Sequence, residues 1–221
     1  MKTPKAVSQS LALSVKYASV LPPFDTGQFL RAVAEAGFFL PEPIGPVLPG
    51  QRLETRGTVA RKAEISIRFD SERQILGVNA PDVDTLIKEM TSTESLLKSE
   101  FDFDSPSWAH YYEFLASLTV RAKSNPLKSW YTHFAQVPIM MEFSEVLGTE
   151  VCPFGIKLAA KEQGPNQPDW FDIHIQPLFQ SPANRHMVEI VFRRSRREEV
   201  FAFVQGVEGT VSRLLSLIEK V

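Results

Sequence analysis

The chain has a single cysteine, Cys152, in 221 residues, and that scarcity removes two classes of architecture. No disulfide can close within one chain, and no metal centre built on several thiolates can be assembled from it. Long apolar runs are missing too. The densest stretch, Ala-Gly-Phe-Phe-Leu at 36–40, falls far short of the roughly 20 residues a membrane span needs. Near the amino terminus, serines, Lys16 and Tyr17 interrupt the apolar positions before the apolar core of a signal peptide can form. The expectation is a cytoplasmic protein with no part in a membrane.

An excess of either charge is also absent. Lys and Arg number 24 against 26 Asp and Glu, a formal net charge of −2, so the chain has no overall positive field with which to hold nucleic acid. HExxH, paired CxxC, acidic calcium-loop, phosphate-loop and dinucleotide-fold signatures do not occur. His110, His133, His174 and His186 fall in four separate elements. A metal or cofactor is therefore not expected.

What the chain does have is apolar material: 16 Phe, 4 Tyr and 3 Trp within a 43% hydrophobic composition, enough for a real core. Its arrangement changes period along the chain. Leu11, Leu13, Val15 and Tyr17 alternate, predicting a strand over 11–21 that Pro22 and Pro23 end. Asp25 or Thr26 caps a helix striped by Phe29, Leu30, Val33 and Ala34, with Gly37 as its stop. Four prolines between Phe38 and Gly50 predict a stiff connector.

From 53 to 80 the period is two again, with Ile65, Ile67 and Phe69 directed to the core. Asp82 or Asp84 then caps a helix through Val83, Leu86, Ile87 and Met90, with a weak point in Thr-Ser-Thr-Glu-Ser at 91–95 before Leu97. Phe101 and Phe103 are expected to pin a linker whose Asp102 and Asp104 face outward. The second half repeats the order: a strand through Tyr112, Phe114, Ala116, Leu118 and Val120, then a helix capped by Asn125 with Pro126 in its first turn. Strands follow near 151–160, 170–179, 186–194 and 199–205, and an amphipathic helix near 209–221 carries Val211, Leu214, Leu215 and Ile218 inward.

Turns this short leave no room for crossover helices, so a doubly wound parallel sheet is not expected. The pattern predicts an α+β fold: an extended antiparallel sheet with helices on one face. Its two similar β-α-β(n)-α halves, 1–100 and 101–221, would form one continuous structural unit.

The sharpest site expectation is a hairpin turned by residues 179–185. With residue numbers across the ladder summing to about 365, Asp172 faces Arg193, His174 faces Val191 and Gln176 faces Glu189. Ile173, Ile175, Val188, Ile190 and Phe192 then share the core face, while Trp170, Asp172, His174, Gln176, Glu189 and Arg193 share the other. Asp172 and His174 are the acid–base candidates, because a carboxylate two residues before a histidine on one strand face can orient an imidazole. No nucleophile accompanies them, and Cys152 is expected as a buried thiol.

Arg193, Arg194, Arg196 and Arg197 form the only dense basic cluster, expected at an exposed hairpin tip; with Arg61, Lys62 and Arg68 it could contact phosphates. These features favour a non-catalytic binding or assembly module that uses an exposed sheet face, with a second copy, another protein or a small molecule as partner. The alternatives are a small-molecule-binding protein or enzyme with a pocket between sheet and helices near Asp172, His174 and Arg193, and a nucleic-acid binder using the Arg193–Arg197 turn.

Overall fold

Two long alternating strands dominate the local preferences of this chain, and they lie side by side at the middle of its sheet. The computed structural model describes residues 6–19, 24–41, 54–134 and 137–219. Strand β1 (Ala6–Tyr17) leads to helix α1 (Thr26–Glu35), then β2 (Thr58–Lys62), β3 (Ile65–Asp70), β4 (Ile75–Ala80) and helix α2 (Val83–Phe101). A short helix, α3 (Ser105–Trp108), precedes β5 (Ala109–Arg121), α4 (Pro126–Phe134) and α5 (Pro138–Leu147). The chain closes with β6 (Ile156–Ala159), β7 (Trp170–Pro177), β8 (Arg185–Arg194), α6 (Arg197–Gln205) and α7 (Val207–Ile218).

The eight strands form one antiparallel sheet in the order β2-β3-β4-β1-β5-β8-β7-β6. Outward from the β1–β5 pair, both directions meet the fourth strand of a run, then the third, then the second. The order is therefore the same from either edge. The α+β architecture, an antiparallel sheet carrying helices, is the one the period changes predict.

One sheet face is largely apolar, with His186 of β8 buried among its side chains. Leu11, Leu13, Val15 and Tyr17 of β1 are buried, as are Tyr112, Phe114, Leu118 and Val120 of β5, and Phe29, Met90, Val200, Val204 and Leu215 reach the same core from the helices. A ring stack between Phe192 of β8 and Phe203 of α6, with centroids 3.8 Å apart, fastens α6 to the sheet. The caps are those the sequence signals. Asp25 accepts from the amide of Gln28 at 2.7 Å, Asp82 from that of Thr85 at 2.8 Å, and Asn125 from that of Lys128 at 3.3 Å, each satisfying a first-turn donor that the helix leaves free.

Several expectations are corrected. Residues 199–205 belong to helix α6 and not to a strand. The alternation of Val200, Ala202 and Val204 fits either period over so short a run, but burying Val200, Phe201 and Val204 on one stripe, with Glu198 and Glu199 in the first turn, favours the helix. Helix α2 runs unbroken through 91–95, because the Thr93 hydroxyl bonds back to the Glu89 carbonyl at 2.8 Å and Glu94 finds partners inside the protein. Helix α5 carries an apolar pattern that the sequence reading left unassigned. Strand β1 begins at Ala6 and ends at Tyr17. Pro22, Pro23 and most of the proline-rich connector, from 42 onward, lie outside the described residues. Phe103 is buried as the linker reading requires, whereas Cys152 is an exposed free thiol.

The β7–β8 register is also corrected. Trp170 pairs with Arg193, Asp172 with Val191, His174 with Glu189 and Gln176 with Met187, so the ladder sums to 363. The turn sits earlier than expected: Leu178 donates to the Arg185 carbonyl at 2.8 Å, and Asn184 and Arg185 fold onto the Ser181 carbonyl. A slip of two residues preserves which side chains share a face. It changes every cross-strand partner.

Candidate functional site

The helices cover one face of the sheet, and the side chains that alternate away from them form the other. Its centre is made mostly of small residues, Ser10, Ala12 and Ser14 on β1, Gly77 on β4 and Ser117 on β5, with Leu115 of β5 among them. Gly77 keeps this floor low, since a Cβ there would lie 3.1 Å from the Ser14 Cβ and 3.3 Å from the Leu13 carbonyl oxygen.

Two cavities open on this floor. One, of about 470 Å³, has a lining that runs from Arg68 on β3 past Ala12, Leu115 and His174 to Lys157 on β6. The other, of about 400 Å³, lies toward β3 and β4 and adds Arg56, Arg73 and Ile75. They share Ala12, Asn79, Leu115 and Arg68, so they are two parts of one trough across the strands.

Charges rim the trough, and most are paired. Lys157 Nζ lies 2.7 Å from Asp172 Oδ2, and His174 Nδ1 lies 3.3 Å from Glu189 Oε2. Asp172 and His174 thus do line one cavity, each held by a neighbouring strand. Asp172 does not orient His174; its partner is the lysine of β6. Ser10 and Ser117 supply hydroxyls to the same cavity. Arg68 is different: exposed, lining both cavities, it has no side-chain partner among the described residues.

Arg193 stands on the open face but is fully engaged. Its guanidinium bonds Glu113, with Nε at 2.8 Å, while Nη1 donates to the carbonyls of Pro165 at 2.6 Å and Gln167 at 3.3 Å. It also lies over the Tyr111 ring, 4.2 Å from its centroid, and over the Trp170 ring at 5.7 Å. Burial raises the Tyr111 phenol above its ordinary pKa, and the Arg193 charge opposes that shift. Arg193 therefore clasps the 160–169 loop to the sheet. Gln176 reaches only the Met187 sulfur, at 3.7 Å.

The arginine cluster joins β8 to α6 and is not a hairpin tip. Its members point in different directions: Arg194 lies over Phe192 at 4.4 Å and near Glu199 at 3.7 Å, and Arg196 is exposed beside the same Glu199 at 3.9 Å. Arg197 Nε donates to the buried carboxylate of Glu94 at 2.8 Å while its guanidinium covers Phe201. Lys62 turns toward the end of α1, 3.4 Å from the Ala36 carbonyl, and Arg68 stands on the opposite sheet face. Arg61, paired with Ser66, shares the open face with Arg68, but Lys62 and the Arg194–Arg197 residues do not join them on one phosphate-binding surface.

A pocket between sheet and helices does exist, but it lies elsewhere. About 300 Å³ in volume, it is lined by Phe134, Ile156, Leu158, Ile175, Leu214 and Leu217, among others, with His133 its one titratable group. Asp172, His174 and Arg193 are not in it. Among the described residues no three His, Cys, Asp or Glu side chains are grouped to hold a metal ion, and no helix is long and apolar enough to cross a membrane.

Sequence reasoning missed Lys157, Asn79 and the serine floor. Strand parity was the signal that could have found them: Ser10, Ala12 and Ser14 are the out-of-core partners of Leu11, Leu13 and Val15. Compared with known proteins, the chain matches no family model and no curated sequence.

Proposed function

We propose that this protein is a cytoplasmic, non-catalytic binding and assembly module whose uncovered sheet face is the contact surface. One observation carries the reading: the face without helices among the described residues bears a continuous trough with a floor of mostly small side chains and an Arg68 that has no side-chain partner among those residues. A floor of Ser, Ala and Gly lets a partner approach the backbone closely, and the rim charges fix its orientation. The exposed thiol of Cys152 suits a reducing compartment. The strand order, identical from both edges, supports treating 1–100 and 101–221 as two related halves of one unit, with the trough crossing their junction. A homo-oligomer formed through the open face is part of this reading.

The test is native mass spectrometry of freshly purified, nuclease-treated protein beside a Leu115→Arg variant that fills the trough. The expected result is additional subunits or retained mass on the wild type, lost in the variant while its far-UV circular dichroism spectrum is unchanged. Identical spectra from the two proteins would overturn it.

A second reading rests on the larger cavity alone. At about 470 Å³ it has the size of a small-molecule site, and His174, Lys157, Ser10 and Ser117 supply donors to it. A small polar ligand held there would appear in the same spectra as a retained mass below about 1 kDa.

A further inference from the structure

Helix α5 buries none of its ten residues. Its outer side carries Ile139, Phe143 and Val146 at i, i+4 and i+7, with Val146 83% exposed and Met141 and Leu147 each 65% exposed. Only Met140 and Ser144 turn partly inward, and the bonds that seat the helix are local: Ser144 Oγ accepts from the Val151 amide at 3.1 Å, and the Tyr131 hydroxyl meets Glu150 at 3.3 Å. An isolated helix shorter than about 12 residues is marginal in water, so packing must supply its stability.

The surroundings enlarge the patch. Nine of the thirteen large apolar side chains exposed among the described residues lie between Leu127 and Phe154. At roughly 150–200 Å² for a side chain of this size, about half exposed, they present on the order of 800 Å² of apolar surface. Summed over the segment, that area is comparable to one partner's share of a standard interface. The segment is also acidic. No Lys or Arg occurs from Ser129 to Ile156, whereas Glu142, Glu145 and Glu150 do. Glu142 and Glu145, three residues apart, lie along one edge of the apolar stripe.

The complementary surface is the Arg68 end of the trough. Arg56 and Arg68 stand there exposed and without side-chain partners among the described residues, beside Ala12, Ile75, Gly77 and Leu115. We infer that α5 of one copy docks on the trough of a second copy, its Ile139–Phe143–Val146 stripe on the small-residue floor and its Glu142–Glu145 edge against Arg56 and Arg68. This rests on the open-face reading above and names its partner.

α5 does not cover the Arg68 end of its own chain's trough: its stripe stands exposed, and none of its residues lines either cavity. Two copies that exchange α5 close as a twofold dimer.

The test is sedimentation equilibrium of the full chain. The wild type is expected to form dimers, and Phe143→Arg to be monomeric with an unchanged far-UV circular dichroism spectrum because α5 buries none of its residues. Arg68→Glu, and separately Glu142→Arg with Glu145→Arg, should each weaken association by about tenfold or more. Mixing these two variants should restore it, since a heterodimer has opposite charges at both contacts. A monomeric wild type, or a dimer indifferent to Arg68→Glu, overturns the inference. A monomer that still retains a foreign mass lost in Leu115→Arg overturns the self-docking alone and leaves the open-face reading standing.

Discussion

His186 Nε2 lies 3.2 Å from a carboxylate oxygen of Glu219, joining β8 to the end of α7 inside the core. The imidazole is fully buried, and its Nδ1 has no partner among the described residues. A neutral ring that donates from Nε2 leaves only a lone pair unmatched at Nδ1; a protonated ring would leave a buried N–H donor there. Burial accordingly lowers the His186 pKa below its ordinary 6.5, against the opposing attraction of Glu219.

A base whose pKa is lower folded than unfolded takes up its proton first in the unfolded chain. Its stabilising contribution is complete above about pH 6.5 and is lost as pH falls toward the folded value. The melting temperature of the wild type should therefore drop between pH 7.5 and pH 5. His186→Gln keeps a donor for Glu219 and does not titrate, so its drop should be smaller. Parallel thermal melts of the two proteins check this, and equal slopes would remove His186 from the account.

Glu94 is a buried carboxylate with both oxygens in use. The Tyr112 hydroxyl donates to Oε1 at 2.7 Å, and Arg197 Nε to Oε2 at 2.8 Å, tying β5, α2 and α6 together. Glu94→Ala removes the phenol's carboxylate acceptor and leaves a guanidinium that is mostly buried without its counter-charge, a loss on the order of 3 kcal/mol. Glu94→Gln retains an acceptor for one of the two donors and should lose less. Urea denaturation of both variants against wild type gives the ordering.

Three glycines separate close approach from chain entropy. A Cβ at Gly155 would meet the Gln176 Cβ at 2.9 Å, the Ile175 carbonyl oxygen at 3.0 Å and His174 Nε2 at 3.2 Å, whereas one at Gly164 or Gly209 meets nothing within 4 Å. Strand β7 is paired on both sides and cannot give way. Gly155→Ala should thus lift β6 and cost about 1–3 kcal/mol. Gly209 sits inside α7, where alanine gains roughly 0.5–1 kcal/mol. Gly164→Ala should change little. Chemical denaturation of the three variants reads the contrast.

Most of the fold was legible because β1 and β5 keep a strict two-residue period and because Asp25, Asp82 and Asn125 announce their helices. Legibility failed where two periods fit the same letters, as at 199–205, and where pairing depends on a turn, as at 178–185. The open face was half legible. Parity placed Asp172, His174, Glu189 and Arg193 together on it, but which of them pair depends on the strands beside β7. Only the fold brings Lys157 to Asp172 and Glu113 to Arg193. Arg68 was read for phosphate contact, and its place in the trough follows from β3 lying three strands from β5.

Arg193 makes two separable sets of contacts, and one substitution divides them. Its bonds to Glu113 need only a positive charge near the carboxylate, whereas its Nη1 bonds to the Pro165 and Gln167 carbonyls need the guanidinium fork. Arg193→Lys keeps the first and loses the second, and it gives up the flat cation that lies over the Tyr111 ring. The sheet should stay intact while the 160–169 loop loosens, because Ser195 bonded to Asp169, through its amide at 2.8 Å and its hydroxyl at 3.1 Å, is left to restrain that end. Lys161 in this loop is exposed, so trypsin should cut after it faster in the variant, at an unchanged rate of global unfolding. Equal cutting rates would mean that Asp169 and Ser195 hold the loop without Arg193.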